Sequence, residues 1–476
     1  MEMKLYNTLT KQKDVFKPVE PGKVKIYNCG VTVYDHCHLG HARGAINFDV
    51  MRNVFKALGY DVTYVKNYTD IDDKMINRSL ERQISVAELA KENIASHDAD
   101  MAALGINTPD IAPRATAYIE QMIEMVRLLI EKGFAYEANG SVFFRVRNFE
   151  EYGKLSGKNV DDLVSGARVD VDPEKEDPLD FALWKATKPN EPKWESPWGE
   201  GRPGWHIECS VMSKAHLGET FDIHAGGSDL IFPHHENEIA QSECANGTVY
   251  ANYWLHNGMI KIQSQKMSKS LGNFATIKDL VKQYAPELIR FFILSSQYRQ
   301  SIDFNPEALA KSAEGLDRIY GALEKFESAV SEETRQAAIK EGKIVEPYRN
   351  DFLEAMSDDL NSPQAIAVLF DLTRKLNSVD PHQQEAFNLY HTLLHLGDIL
   401  GILKTPSGQW FKTPRIKEQA AKDEALSDEK IEELIEQRRQ ARANRDWATA
   451  DNIRDQLQAA NIHLEDRDGK TVWRRK

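Results

Sequence analysis

The sequence predicts an α/β protein. A Rossmann-like parallel-sheet domain, interrupted by an insertion, is followed by a helical bundle and a small mixed α/β domain at the C-terminal end. Three observations carry this. An alternating apolar stretch, a helix-period stretch and a second apolar stretch succeed one another between Lys23 and Lys66. From Asn305 onwards, apolar residues step by three and four. A basic tail then closes the chain around an Asp468-Gly469 turn signal. The length, 476 residues, is about three times a typical single domain and accommodates all of these parts.

Taken in order, Lys23 to Tyr34 alternates Val24, Ile26 and Asn28, then Val31 and Val33, which predicts a strand. A turn follows over Asp35 to Gly40. Phe48, Met51, Phe55 and Leu58 predict a helix from about His41, with Gly59 as its cap. Asp61 to Lys66 predicts the next strand. Strand, helix and strand in this span make a βαβ unit, hence a parallel sheet with a ligand crevice at the strand ends. Ile119 to Ile130 has an amphipathic pattern, and Ala138 to Val146 reads as a hairpin around Asn139-Gly140. Val160 to Pro203 is rich in Asp, Pro and Trp and lacks periodicity. Residues 1–118 are therefore assigned to the first half of the α/β domain, 119–200 to an insertion, and 201–304 to the second half.

Asn305-Pro306 has the chemistry of a helix cap followed by proline at the first helical position. Leu309, Ala313, Leu316, Tyr320 and Leu323 continue that helix, and Ser362-Pro363 opens another. The bundle is assigned to 305–403, a Pro- and charge-rich linker to 404–427, and a terminal domain to 428–476. The terminal domain is predicted as a charged helical stretch and a short hairpin.

Hydrophobic residues are 41% and charged residues 28%, values of a globular chain rather than a disordered one. No apolar run approaches the roughly 18 residues needed to span a bilayer, and Met1 to Lys13 lacks the apolar core of a secretory signal. Four cysteines are too few for a disulfide framework. A cytoplasmic protein with reduced thiols or metal-ligating cysteines is expected. The net charge of −13 argues against a chain coated in nucleic acid. The segment from Gln437 to Lys476 is different: it holds ten Lys or Arg and six Asp or Glu. It is either a solvated basic tail or an anion-binding end.

His38-Leu39-Gly40-His41 falls between the first strand and its helix. A helix N-terminus offers free N–H groups and positive partial charge to a phosphate. Two imidazoles there add donors, and Gly40 lets a flat base approach the backbone. Lys266-Met267-Ser268-Lys269-Ser270 places two lysines three apart in a Ser-rich loop, after a hairpin-like stretch from Trp254 to Ile262. Such a loop can close over a polyphosphate and neutralise charge as it develops. The two motifs, in this order and with a split α/β domain between them, resemble the "HIGH" and "KMSKS" signatures of class I aminoacyl-tRNA synthetases.

His234-His235-Glu236-Asn237-Glu238 puts His234 and Glu238 on one helical face, where they can chelate a metal, while His235 and Glu236 are expected to point elsewhere. Cys29 and Cys209 would complete a four-ligand zinc site, although their wide spacing leaves open that they are simply small buried residues. The segments Tyr27 to Asp35, Cys37 to His41, Asn67 to Lys74, Gly201 to Ser210 and Phe232 to Glu238 resemble the cysteinyl-tRNA synthetase family. The resemblance extends over essentially the whole chain, including the tail from Asp446-Trp447 to Lys476.

That resemblance implies zinc ligation by Cys29, Cys209, His234 and Glu238, one ion per chain, with Cys37 and Cys244 outside the site. It implies a cysteine pocket of Cys29, Thr69, Trp205, His224 and Asp229, the last facing the substrate ammonium. It assigns His38, Gly40 and His41 to ATP, Lys266 and Lys269 to the transition state, and Mg²⁺ to the nucleotide. Arg442, Asp451 and Asp466 become candidates for anticodon contacts in a terminal anticodon-binding domain. The implied reaction is ATP-dependent activation of L-cysteine and its transfer to the terminal adenosine of tRNA(Cys), by a monomer. Zinc would distinguish cysteine from serine by preferring sulfur to oxygen, where pocket shape discriminates weakly. Two alternatives are an ATP-dependent cysteine ligase of thiol-cofactor (mycothiol-type) biosynthesis, and an inactive paralogue that binds only tRNA or zinc. The basic tail argues against the first, and the intact motifs against the second.

Overall fold

A computed structural model describes residues 1–159, 173–262, 265–266, 275–416, 426–460, 462–467 and 470–475. The chain divides into two compact units. The first comprises 1–277, 296–304 and 351–365; the second comprises 278–295, 305–350 and 366–476.

The first unit is built on a four-stranded, all-parallel sheet. Its spatial order is Ala251–Asn257, Phe221–Gly227, Lys23–Thr32, Asp61–Thr69. The two strands Ala251–Asn257 and Phe221–Gly227 are buried almost throughout, and the other two bury Val24, Ile26, Tyr27, Val62, Tyr64 and Val65, as a sheet covered on both faces requires. Lys23–Thr32 runs into the helix Leu39–Ala57, and Asp61–Thr69 follows as its parallel neighbour. The next sheet strand in sequence, Phe221–Gly227, pairs on the opposite side of Lys23–Thr32. The chain thus reverses direction across the sheet between Lys23–Thr32 and Phe221–Gly227. Ligand crevices in open α/β sheets form at this switch point, beyond the strand C-termini.

The helix begins at Leu39, two residues before the sequence expectation. His38 adopts extended backbone geometry and caps it, its imidazole accepting from Gly40 N. Arg43, with no exposed surface, donates to the carbonyls of Met259, Tyr298 and Gln300, which ties the first helical turn to those segments. Burial pulls its pKa down to about 10.

The insertion holds the helix Ile119–Glu131 and an antiparallel sheet in sequence order: Ala135–Ala138, Ser141–Phe144, Phe181–Ala186, Gly201–Pro203. Asn139 and Gly140 both have positive φ, as a tight hairpin turn needs. Gly201–Pro203 completes this sheet by pairing with Phe181–Ala186, so its strands extend just past residue 200. Trp254 belongs to the parallel sheet, and the hairpin that follows is Ile260–Ile262 with Gln265–Lys266. The Asn257-Gly258-Met259 break separates the two, a boundary that the continuous apolar pattern hid.

In the second unit, Asn305 caps the helix Pro306–Ala329 by accepting from Ala308 N. Glu332–Glu341 and Gln384–Leu400 are further helices. Tyr320 stacks on Trp410 at 4.4 Å, and Glu287 accepts from Tyr320 Oη at 2.9 Å. Towards the C-terminus, the helices Asp428–Ala443 and Trp447–Ala459 and the hairpin Ile462–Arg467/Lys470–Arg475 share a small core of Ile431, Leu434, Ile453, Leu457, Ile462 and Trp473. The expected turn, Asp468-Gly469, lies outside the described residues. Among the described residues, no helix is long and apolar enough to cross a membrane.

Candidate metal centre and active site

Three sheet strands and two helices converge at the switch point. Cys29 lies on Lys23–Thr32, next to a register shift between Asn28 and Val31. His224 lies on Phe221–Gly227, and Asn67 and Thr69 end Asp61–Thr69. Cys209 projects from the helix Trp205–Leu217. His234 and Glu238 flank the junction between a kinked segment, Ile231–His235, and the helix Glu236–Asn246.

These residues close a four-donor cluster. Cys29 Sγ lies 3.6 Å from Cys209 Sγ and 3.4 Å from Glu238 Oε1. His234 Nε2 lies 3.7 Å from Cys209 Sγ and 3.0 Å from Glu238 Oε1. Two Zn–S bonds of about 2.3 Å at a tetrahedral angle hold their sulfurs about 3.8 Å apart, close to the separation of the thiol pair. A soft pair of cysteine sulfurs with one imidazole and one carboxylate is a donor set suited to zinc.

The electrostatics point the same way. The hydrogen bond from Cys29 draws the Cys209 thiol down to about 6, while burial pushes Cys29 well up. Against the burial that lowers it, Glu238 and Cys209 raise His234 to about 9. Against the burial that raises it, His224 and His234 hold Glu238 well below the usual carboxylate range. A divalent cation held by these donors would supply the positive charge that the lowered Glu238 and Cys209 call for.

Outer partners fix these ligands. His224 Nε2 and Tyr250 Oη reach Glu238 Oε2 at 2.8 and 3.0 Å. His206 Nδ1 lies 2.8 Å from His234 Nδ1, and Trp205 stacks on His234 at 4.0 Å. Such contacts set ligand orientation and tautomer. His235 departs from the expectation that it points elsewhere, since its Nε2 lies 3.3 Å from Cys29 Sγ. His235 stands three residues before Glu238 in helical backbone, a spacing that also brings side chains together, and its Nε2 lies 4.0 Å from Glu238 Oε1. Cys29, His224, His235 and Glu238 therefore form a second, overlapping donor set. It offers one sulfur where the first offers two. Glu236 does point away, accepting from Leu155 N and Ser156 N. His256, linked to His235 at 2.8 Å, had no spacing signal to reveal it. Cys37 and Cys244 are buried free thiols outside both donor sets.

Gly30 follows Cys29 directly. Its N–H donates to Asn67 Oδ1 at 2.8 Å, and a Cβ there would overlap the Asn67 carbonyl. Gly30→Ala is expected to force the two strands apart at the metal ligands. The cost should be about 3 kcal/mol in denaturation experiments, with weakened zinc retention. Unchanged stability and metal content would show that the strands accommodate the methyl group.

At the helix start, the rings of His38 and His41 stack at 3.7 Å. His41 Nδ1 accepts from His38 N at 3.3 Å and His38 Nδ1 accepts from Gly40 N at 3.1 Å. These bonds assign the proton of each neutral ring to Nε2. Burial, reinforced by His38 and Lys66, keeps His41 well below the usual imidazole range. Gly40 sits half-buried in the first turn. Lys266 closes the short hairpin in backbone pairing with Lys261; its side chain and Lys269 lie outside the described residues.

Of the expected amino-acid contacts, Thr69 is buried and donates to Glu208 Oε2 at 2.8 Å. Trp205 is half-buried over His234, and His224 stacks on Trp254 at 4.5 Å. Asp229 is exposed just past Phe221–Gly227. In the terminal region, Arg442 and Asp451 are exposed, and Asp451 pairs with Arg454 at 2.9 Å. Asp466 is placed on its strand opposite Thr471; its side chain lies outside the described residues. Trp447, 60% exposed, opens the helix that carries Asp451.

Comparison with known proteins covers the chain in three blocks. Residues 15–314 match the family model of the class I (C) tRNA synthetase catalytic domain, 351–404 match the DALR domain, and 425–474 match the cysteinyl-tRNA ligase anticodon-binding domain. The cysteine–tRNA ligase of Chromobacterium violaceum is 52% identical over 478 residues, covering 99% of this chain and 100% of that protein. That of Geobacter metallireducens is 48% identical over 488 residues, covering 100% of both. Among solved structures, Mycobacterium tuberculosis methionyl-tRNA synthetase bound to methionyl-adenylate aligns with a TM-score of 0.55 at 15% identity. It covers 85% of this chain and 93% of that one, a likeness of fold.

Proposed function

The chain belongs to the cysteine–tRNA ligase family of class I aminoacyl-tRNA synthetases, and on that premise we propose that Cys29, Cys209, His234 and Glu238 hold a zinc ion against which cysteine is selected by its sulfur. The activity is ligation of cysteine to tRNA, with ATP as the energy source. The observation that carries the zinc reading is the buried donor quartet, whose sulfurs lie 3.6 Å apart. Bound zinc supplies a preference for thiolate sulfur over alcohol oxygen. The protein residues do the rest. Trp205 and His206 hold the His234 ring, while His224 and Tyr250 hold Glu238.

In the first step the cysteine carboxylate attacks the α-phosphorus of ATP, the bond to the β-phosphate breaks, and pyrophosphate leaves. Such chemistry needs alignment and charge stabilisation rather than a side-chain nucleophile. His38 and His41 are assigned to the phosphates through Nε2–H donors, and Gly40 to the adenosine. Lys266 and Lys269 are assigned to the charge that develops on the leaving group, and Mg²⁺ accompanies the nucleotide. Thr69 and Asp229 are assigned to the substrate ammonium. In the second step a ribose hydroxyl of the terminal adenosine of tRNA(Cys) attacks the acyl carbon of the cysteinyl-adenylate, the acyl–phosphate bond breaks, the hydroxyl proton is lost, and AMP leaves. We place the enzyme in the cytoplasm as a monomer. The proposed domain division is the split catalytic domain with its insertion, the bundle, and an anticodon-binding region from residue 428.

Metal analysis of the purified enzyme, read together with cysteine-dependent pyrophosphate exchange, tests the zinc reading. Arg442, Asp451 and Asp466 are assigned to the anticodon, since RNA loops are read by Arg, Asp and aromatic groups on unstacked bases. Arg442→Glu is expected to lower kcat/KM for tRNA charging roughly ten- to a hundredfold and leave cysteine-dependent pyrophosphate exchange unchanged. Equal losses in both assays would remove Arg442 from the tRNA interface.

A further inference from the structure

Arg43 stands two residues after His41 in the helix Leu39–Ala57 and has no exposed surface. Among the described residues its guanidinium meets no carboxylate. It donates instead to Met259 O at 2.8 Å, Tyr298 O at 3.0 Å and Gln300 O. Burying a cation among backbone carbonyls is costly, and an apolar side chain would fill the same space without that cost. What the planar guanidinium adds is a fixed geometry between the three segments it joins.

Those segments lead to the lysine motif. Met259 enters the strand Ile260–Ile262, where Lys261 pairs with Lys266. Tyr298 and Gln300 lead into Ile302–Phe304, the parallel partner of that strand. Arg43 therefore grips the base of the hairpin that carries Lys266. A second tie holds the chain past residue 274. Leu39 N donates to Ala275 O at 3.2 Å, Ile277 N donates to Cys37 O at 2.9 Å, and His38 bridges Thr276 between them. The short stretch from Cys37 to Arg43 thus carries the imidazoles assigned to the phosphates and fastens the chain on both sides of residues 267–274.

We propose that Arg43, together with the backbone tie at Cys37 and Leu39, is a positioning device for the activation step: it fixes Lys266 relative to His38 and His41, so that the ammonium meets the charge developing on the departing pyrophosphate. The proposal rests on the assignment of the lysines above. Stabilisation of a transition state depends on placement, and a displacement of about 1 Å can cost about a hundredfold in rate.

The test uses zinc-loaded, full-length enzyme in cysteine-dependent pyrophosphate exchange, with melting temperature and zinc content read alongside. Arg43→Met should fold, because Met259 O and Tyr298 O keep their bonds from Ile302 N at 3.1 Å and Gly258 N at 2.9 Å. It should lower kcat roughly a hundredfold while KM for ATP and for cysteine stays within about threefold, since the loss falls on the transition state. Zinc content should not change. Arg43→Lys keeps the charge but not the fork, and should recover only part of the rate. In a Lys266→Ala/Lys269→Ala background, Arg43→Met should add no more than about a twofold loss, because it acts through those ammonium groups. The proposal is overturned if Arg43→Lys restores the full rate, if the losses multiply, or if KM rises as much as kcat falls. If Arg43→Met fails to fold, Ile277→Pro decides. Proline suits the first position of the helix Ile277–Gln283 and removes the N–H donated to Cys37 O. It should lower kcat roughly tenfold at unchanged KM, and a normal rate overturns the proposal. The lysine assignment fails separately, as a normal rate in Lys266→Ala/Lys269→Ala with Arg43 intact.

Discussion

Removing the metal is expected to abolish cysteine activation. Enzyme stripped by a strong chelator should lose at least about a thousandfold in kcat/KM for cysteine, about 4 kcal/mol of transition-state stabilisation, and regain it on adding zinc. The size of the effect follows from how little else in the pocket distinguishes sulfur. A cavity shaped for a thiol rejects a near-isostere by only one or two orders of magnitude. Cys209→Ser is expected to lose zinc and activation together, because it replaces the thiol drawn down to about 6, the more acidic of the pair. The overlapping set of Cys29, His224, His235 and Glu238 gives this experiment a second readable result. Zinc retained without activity would place the ion on those imidazoles. Full activity without any metal would refute the assigned site.

How far the sequence revealed this depends on which residues are considered. The βαβ unit was legible because its alternating and helical periods are long and uninterrupted. Its boundaries were less so. The helix starts at Leu39 because an imidazole caps it, and histidine lies outside the usual capping set that a pattern reading applies. The parallel strand at Trp254 runs almost directly into a hairpin, so one apolar pattern concealed two elements with different partners.

The candidate site divides along similar lines. His38, Gly40 and His41 announce themselves because they are contiguous. Cys29, Cys209 and the His234–Glu238 pair lie in three separate segments, and only the fold brings them together. Without the family resemblance, local spacing offered His234 and Glu238 alone. No spacing singled out His206 or His256, because they act through contacts made in three dimensions, on His234 and on His235.

Lys269→Ala is expected to slow adenylate formation by about a hundred- to a thousandfold, while zinc content, melting temperature and cysteine affinity stay as they were. When the α-phosphorus is attacked, negative charge moves onto the departing pyrophosphate, and an ammonium beside it is worth most at that moment. Binding energy that appears only in the transition state changes kcat rather than ground-state affinity. ATP affinity should therefore change much less than the rate of the chemical step in single-turnover experiments. Lys269→Arg should recover part of the rate, since the charge is kept but its position shifts. His38→Ala gives the contrasting case. His38 caps the helix through Nδ1, so its loss should disturb both stability and rate, whereas Lys269 should affect rate alone. Normal single-turnover kinetics in Lys269→Ala would remove that lysine from the reaction and leave charge stabilisation to Lys266, the histidines and the nucleotide's own Mg²⁺.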